Sequence, residues 1–127
     1  MSKFILDSSV VLAFIHREPG YDKVSQIIKN SYLSTVNFSE IISKLYIYNF
    51  TKIEVEDIIK KLRINLINFD KTVAIETGRL KYSNKQYGLS LGDCACIATA
   101  MINHLDIVTA DKVWLKLDLP VKIITIR

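Results

Sequence analysis

The sequence predicts an α/β fold in which a mainly parallel central sheet is covered by helices on both faces. Short apolar runs alternate along the chain with segments whose apolar residues recur at helical spacing. The strand-like runs are apolar and not strictly alternating, as expected of strands buried on both sides. A chain of 127 residues, 50% hydrophobic and 24% charged, also has the size of one domain, so residues 1–127 are read as a single unit without internal repeat or flexible linker.

Lys3 to Leu6 reads as the first strand, ending at the charged Asp7. Ser8 or Ser9 can cap a helix through Val10, Val11, Phe14 and Ile15, and Pro19-Gly20 stops it before a second helix over Tyr21 to Asn30. Tyr32 to Val36 is the second strand, followed by a helix carrying Phe38, Ile41, Ile42 and Leu45. From Thr51 a helix places Val55, Ile58, Ile59 and Leu62 on one face, and Ile64 to Phe69 reads as a strand. Asp70 caps a long helix reaching about Tyr87, where Gly88 breaks it. Ser90 starts the next, with Cys94, Ile97, Ala98, Met101 and Leu105 inward and His104 closing it. Ile107 to Thr109 is a strand leading to Asp111, Val113 to Leu117 a short helix, and Val121 to Ile126 a last strand behind Pro120.

Composition excludes several classes. Gly 4, Pro 2 and Cys 2 rule out collagen, low-complexity disorder and a disulfide-stapled miniprotein. The longest apolar stretches, such as Cys94 to Ile102, are far shorter than the roughly 18 residues of a membrane span. Only Phe4, Ile5 and Leu6 separate Lys3 from Asp7, so no secretory signal is expected and the cytoplasm is the default location. Lys+Arg 17 against Asp+Glu 13 gives +4, a mild cationic bias that attracts nucleic acid or acidic partners without identifying either. Cys94 and Cys96, two apart on a helix, read as packed core thiols.

The chemistry rests on four acids. In an open α/β sheet ligands bind beyond the carboxyl ends of the strands, and Asp7 and Asp111 both follow apolar strands there. Glu40 lies in the first turn after the second strand and Asp93 in the first turn after Ser90, so both acids aim at the same edge. Four carboxylates that converge raise one another's pKa unless a cation neutralises them, and oxygen-only ligands suit Mg²⁺, with Mn²⁺ as substitute. Each acid also has a plainer reading. Asn37 with Glu40, and Ser90 with Asp93, fit a capping box, and Asp7 and Asp111 fit simple caps. Thr51 with Glu54 shows the same box away from any strand end. The joint placement of the four is what favours function.

Other constellations are thin. The sequence has no nucleophile elbow, no Gly-rich phosphate loop and no histidine pair at metal-ligand spacing, His16 and His104 being isolated near helix ends. Between Glu76 and Asp93 no acid occurs, whereas Arg79, Lys81 and Lys85 are interleaved with Tyr82 and Tyr87. Cations there can meet phosphates and tyrosines can stack on unpaired bases, so Arg79, Lys81, Tyr82 and Lys85 form the candidate RNA surface. The same residues also suit a solvated helix face. Lys60, Lys61 and Arg63 read as the polar face of an amphipathic helix.

The segments LDSSVVLAFIHREPG, STVNFSEIISKL, GLSLGDCACIATA and IVTADKVWLKL, in this order, resemble the PIN-domain ribonucleases and, within them, the VapC toxins of type II toxin–antitoxin systems. The resemblance spans nearly the whole chain. It implies that Asp7, Glu40, Asp93 and Asp111 match the family's catalytic, metal-binding acids, and that Ser9 and Thr109 match hydroxyl neighbours that orient them. The segment from Phe50 to Phe69 is the least recognisable. The implied activity is Mg²⁺-dependent hydrolysis of RNA phosphodiesters, in transfer or ribosomal RNA, leaving 5′-phosphate and 3′-hydroxyl ends. The implied partners are a cognate VapB-like antitoxin, the RNA substrate and a second copy of the chain, with no membrane. Two other classes compete: a non-catalytic PIN-like module that binds RNA or protein, and a phospho-accepting receiver. A receiver carries paired acids after its first strand, whereas here Asp7 is followed by Ser8 and Ser9.

Overall fold

The computed structural model describes residues 4–127 and contains five parallel strands in the order β3-β2-β1-β4-β5. The strands are β1 (Phe4–Leu6), β2 (Tyr32–Ser34), β3 (Asn65–Ile67), β4 (Asp106–Thr109) and β5 (Ile123–Thr125). The helices are α1 (Ser8–Ile15), α2 (Tyr21–Ser25), α3 (Thr35–Ile47), α4 (Lys52–Leu62), α5 (Lys71–Ser83) and α6 (Leu91–Asn103). Single turns of 3₁₀ helix occupy Ile28–Asn30, Lys85–Tyr87 and Lys112–Lys116. The expected start of the first strand at Lys3 lies outside the described residues.

Each strand sends alternate side chains to opposite faces, which builds two cores. Ile5 and Ile107 join Val73 and Leu80 of α5 and Ile97 of α6 in one. Leu6 and Val108 join Val10 of α1, Ile41 and Leu45 of α3 and Val55 of α4 in the other. Parallel strands covered on both faces are therefore present as expected. Among the described residues no helix is long and apolar enough to cross a membrane.

Several boundaries move. The second helix breaks after Ser25, and only Ile28–Asn30 resumes a helical turn. The second strand stops at Ser34, whose hydroxyl accepts from the Val36 N–H and starts α3 at Thr35, earlier than the hydrophobic spacing indicated. The long helix from Asp70 ends at Ser83, and Gly88, at φ 65°, closes the separate turn after it. Neither Ser8 nor Ser9 caps α1; both sit inside it, and the Ser9 hydroxyl donates to Asp7. His104, at φ 55°, does close α6.

The Thr51–Glu54 capping box forms, with Thr51 Oγ1 accepting from the Glu54 N–H at 3.2 Å and Glu54 accepting from the Thr51 N–H at 2.8 Å. Thr51→Ala removes one of these bonds on an exposed helix start. Denaturant unfolding should show a loss of about 1 kcal/mol, and an unchanged midpoint would mean the box contributes nothing.

Candidate active site

Strands β1 and β4 are hydrogen-bonded neighbours, with Leu6 in register with Val108, so the chain leaves both at the same edge of the sheet. From β1 the chain runs outward through β2 and β3 on one side, while β4 and β5 add on the other. The crevice between the ends of β1 and β4 is thus the switch point at which open α/β sheets bind ligands.

Asp7 stands at its floor, 3% exposed. By position it is the N-cap of α1, yet its side chain makes no cap bond. Its Oδ2 instead accepts from Ser9 Oγ at 2.7 Å and from Thr109 Oγ1 at 3.0 Å. Each hydroxyl in turn accepts a backbone N–H, Ser9 from Ala110 at 3.2 Å and Thr109 from Asp111 at 3.1 Å. Those N–H groups occupy the hydroxyl lone pairs, so both O–H protons are directed at Asp7. The simple-cap reading of Asp7 therefore fails, and the Ser9 and Thr109 hydroxyls both donate to its carboxylate.

Glu40 projects from α3, and its Oε1 accepts from Asn37 Nδ2 at 2.7 Å. Asn37 is fully buried, and the same nitrogen donates to the Gly92 carbonyl at 3.2 Å, so α3 is tied to α6 one residue before Asp93. The Asn37–Glu40 capping box, the plainer reading of this acid, does not form: Ser34 supplies the cap and the Asn37 amide turns inward to the acid. Asp93 does close its box with Ser90: Oδ2 accepts from the Ser90 N–H at 2.9 Å, and Ser90 Oγ accepts from the Asp93 N–H at 3.0 Å. A cap and a site residue coincide there.

Asp7 feels the charges of both Asp93 and Glu40. Burial foremost lifts the Asp7 carboxyl to about 6; the charges of Asp93 and Glu40 push the same way against the lowering effect of the Ser9 and Thr109 hydroxyls. Asp111 stands apart. It is exposed, and its Oδ1 accepts from the Val113 N–H at 3.0 Å, capping the Lys112–Lys116 turn that buried Trp114 anchors. Its link to Asp7 runs through its backbone N–H and the Thr109 hydroxyl.

The donor set is all oxygen, which fits a hard divalent cation. As the side chains stand, no three His, Cys, Asp or Glu among the described residues close into a chelate. Glu40 Oε2 and Asp93 Oδ1 carry no hydrogen bond among the described residues, and Asp7 Oδ1 has only the Ser8 hydroxyl at 3.5 Å. Three carboxylates that share a crevice, each with an oxygen to spare, are suited to a cation that balances their charge.

The PIN domain family profile matches residues 4–119, and all four acids fall inside that span. The chain belongs to the PIN domain family. No curated protein matches the chain by sequence. Among solved structures, the PIN domain is similar to DNA-bound VapBC from Salmonella typhimurium, with 17% identity, TM-score 0.74 and 100% of each chain covered. It is similar to FitAcB from Neisseria gonorrhoeae, with 20% identity, TM-score 0.70 and 97% of each chain covered. A toxin–antitoxin complex from Klebsiella pneumoniae gives 17% identity, TM-score 0.73 and 97% of each chain covered.

On this PIN domain the candidate RNA residues separate. Arg79 is paired with Glu76 one turn earlier on α5. Lys81 Nζ donates to the Leu89 carbonyl at 2.9 Å, and its charge reaches Cys94, beside Asp93. Tyr82 is 73% exposed, and Lys85 Nζ lies 4.7 Å from its ring centre. Cys94 and Cys96 are fully buried free thiols, and burial pushes both pKa values up, so neither serves as a nucleophile. Sequence reasoning missed Asn37 as an acid-holding side chain and gave Gly92 no role. The available signal was a glycine inside the helix start Leu91-Gly92-Asp93, where no turn requires one.

Proposed function

We propose that this PIN domain is the toxin of a type II toxin–antitoxin pair and hydrolyses RNA phosphodiesters with Mg²⁺, Mn²⁺ substituting. The observation that carries the reading is Asp7 buried in a crevice at the switch point beside Asp93 and Glu40, whose charges, after burial itself, help to raise its carboxyl to about 6. Structural proteins seldom bury such repulsion without a ligand to relieve it. Asp7, Glu40 and Asp93 would hold the ion, and Asp111 would bind a second ion or orient its waters. When bound, the metal supplies hydroxide near neutral pH and offsets charge on the phosphoryl and leaving oxygens. Ser9 and Thr109 keep Asp7 in one orientation, and Asn37 keeps Glu40 in one. Tyr82 and Lys85, exposed and stacked together, offer a base platform and a phosphate contact.

The structural relatives named VapBC, and the Klebsiella toxin–antitoxin complex, support an antitoxin partner for this chain too. An acidic crevice accepts a guanidinium in two-pronged geometry, so an antitoxin arginine is a suitable plug. The protein is proposed to be cytoplasmic and to pair with a second copy of itself.

The test incubates purified, antitoxin-free protein with end-labelled total transfer RNA in Mg²⁺ or EDTA. Discrete cuts that appear in Mg²⁺ and vanish in EDTA are expected. Failure of folded, metal-replete protein to cut transfer or ribosomal RNA would favour a binding module.

A further inference from the structure

Gly92 is the second residue of α6 and does not have positive φ, so no backbone conformation calls for glycine there. Glycine inside a helix is less favourable than alanine by about 1 kcal/mol. The reason for its presence lies across the helix pair. A Cβ at Gly92 would overlap the whole Glu40 carboxyl group, standing 2.5 Å from Cδ and 2.7 Å from Oε1. Glu40 therefore lies flat on the α6 backbone, in the space a side chain would fill. Asn37 holds it there, since both Nδ2 contacts, Glu40 Oε1 and the Gly92 carbonyl, are acceptors. Rotating the amide would set its oxygen against two acceptors, so the orientation shown is the one that bonds. In that orientation Asn37 Oδ1 is buried without a partner, at a desolvation cost of about 1–3 kcal/mol. Two local penalties thus meet at one carboxylate.

We propose that Gly92 and Asn37 are positioning residues that form a seat for Glu40 and set its distance from Asp93, and hence the metal affinity of the site. This rests on the proposed metal-dependent nuclease reading. Neither residue touches the ion; both act through Glu40. The seat explains why two locally unfavourable choices occur side by side: each gives up some stability to hold one acid still, as partners of metal ligands do.

The test uses the full chain, with Mn²⁺ alone as the probe in calorimetric titration, beside thermal unfolding in EDTA and RNA cleavage at saturating Mn²⁺. Gly92→Ala meets only the far end of a flexible side chain, so it is expected to fold with an unchanged or higher metal-free Tm. Its Mn²⁺ affinity should fall about 10–100-fold, with cleavage falling too. Asn37→Leu removes the orphaned acceptor at similar volume, and should also keep its Tm while losing Mn²⁺ affinity. In a Glu40→Asp background, where the carboxylate is shorter by one methylene, Gly92→Ala should cost much less than in the wild type. A Gly92→Ala protein that binds Mn²⁺ and cuts RNA like the wild type would overturn the seat and leave the nuclease reading intact. Equal losses in the wild-type and Glu40→Asp backgrounds would also overturn it. Wild type that neither binds Mn²⁺ nor cuts RNA would remove the nuclease reading, and the seat's role with it.

Discussion

Asp93→Asn is expected to abolish RNA cleavage, by at least about 100-fold, while the protein stays folded. The figure exceeds the 10–100-fold loss usual for a partner that only orients a metal ligand, because a ligand itself is removed. Folding survives because an asparagine oxygen can still accept from the Ser90 N–H at the start of α6, as Asp93 Oδ2 does. Asp93 has two roles, and Ser90→Ala separates them. Loss of the Ser90 hydroxyl removes its bond from the Asp93 N–H and should lower stability by about 1 kcal/mol. The backbone N–H that holds the acid is untouched, so cleavage should stay near the wild-type rate. Cleavage assays alongside circular dichroism decide the matter. If Asp93→Asn unfolded the protein, or folded and still cut, the carboxylate would be a cap and no more.

Asp7→Asn is expected to change how stability depends on pH. The folded-state value of about 6 lies above the roughly 4 of an unfolded aspartate. Between those values the native state keeps a proton that the unfolded state has lost. The contribution is therefore present in full below about pH 4, is withdrawn as pH rises through about 6, and is constant above that. A difference of about two pKa units corresponds to up to about 3 kcal/mol. In EDTA at pH 7.5, Asp7→Asn should then be more stable than the wild type by up to that amount, and the two should converge at pH 4. Saturating Mg²⁺ at pH 7.5 should raise only the wild type, by about 2.7 kcal/mol at one hundred times its dissociation constant. Denaturant titrations at several pH values, with and without Mg²⁺, measure all of this. Parallel pH profiles for the two proteins would mean that Asp7 ionises as an ordinary carboxylate. A wild type indifferent to Mg²⁺ would count against the ion site.

Both expectations depend on a site only partly legible in the chain. Asp7 and Asp111 could be placed at strand ends because apolar runs stop just before them, and Asp93 because Ser90 announces a helix start. Glu40 was expected in the first turn after the second strand, but α3 starts at Thr35 and has no acid in its first turn. The Asn37–Glu40 spacing also fitted a capping box, whereas Ser34 caps the helix and Asn37 turns to the acid. Identical local spacing gave a true box at Thr51 and at Ser90. The difference lies in what packs above: Thr51 and Ser90 are exposed helix starts, while Asn37 is sealed against α6.

Strand and helix alternation, the parallel sheet and the order of the four acids followed from composition and periodicity, because those patterns record which face of each segment must leave water. The other properties of the site depend on contacts between distant residues. Thr109 reaches Asp7 across 102 positions and Asn37 reaches the Gly92 carbonyl across 55. Only such contacts bury Asp7 beside two other acids and turn an unremarked glycine into the surface on which Glu40 lies, whereas the Asp111 cap is local. Local spacing states which residues share an edge of the sheet; the packing of α3 on α6 and of β1 on β4 decides which of their charges meet.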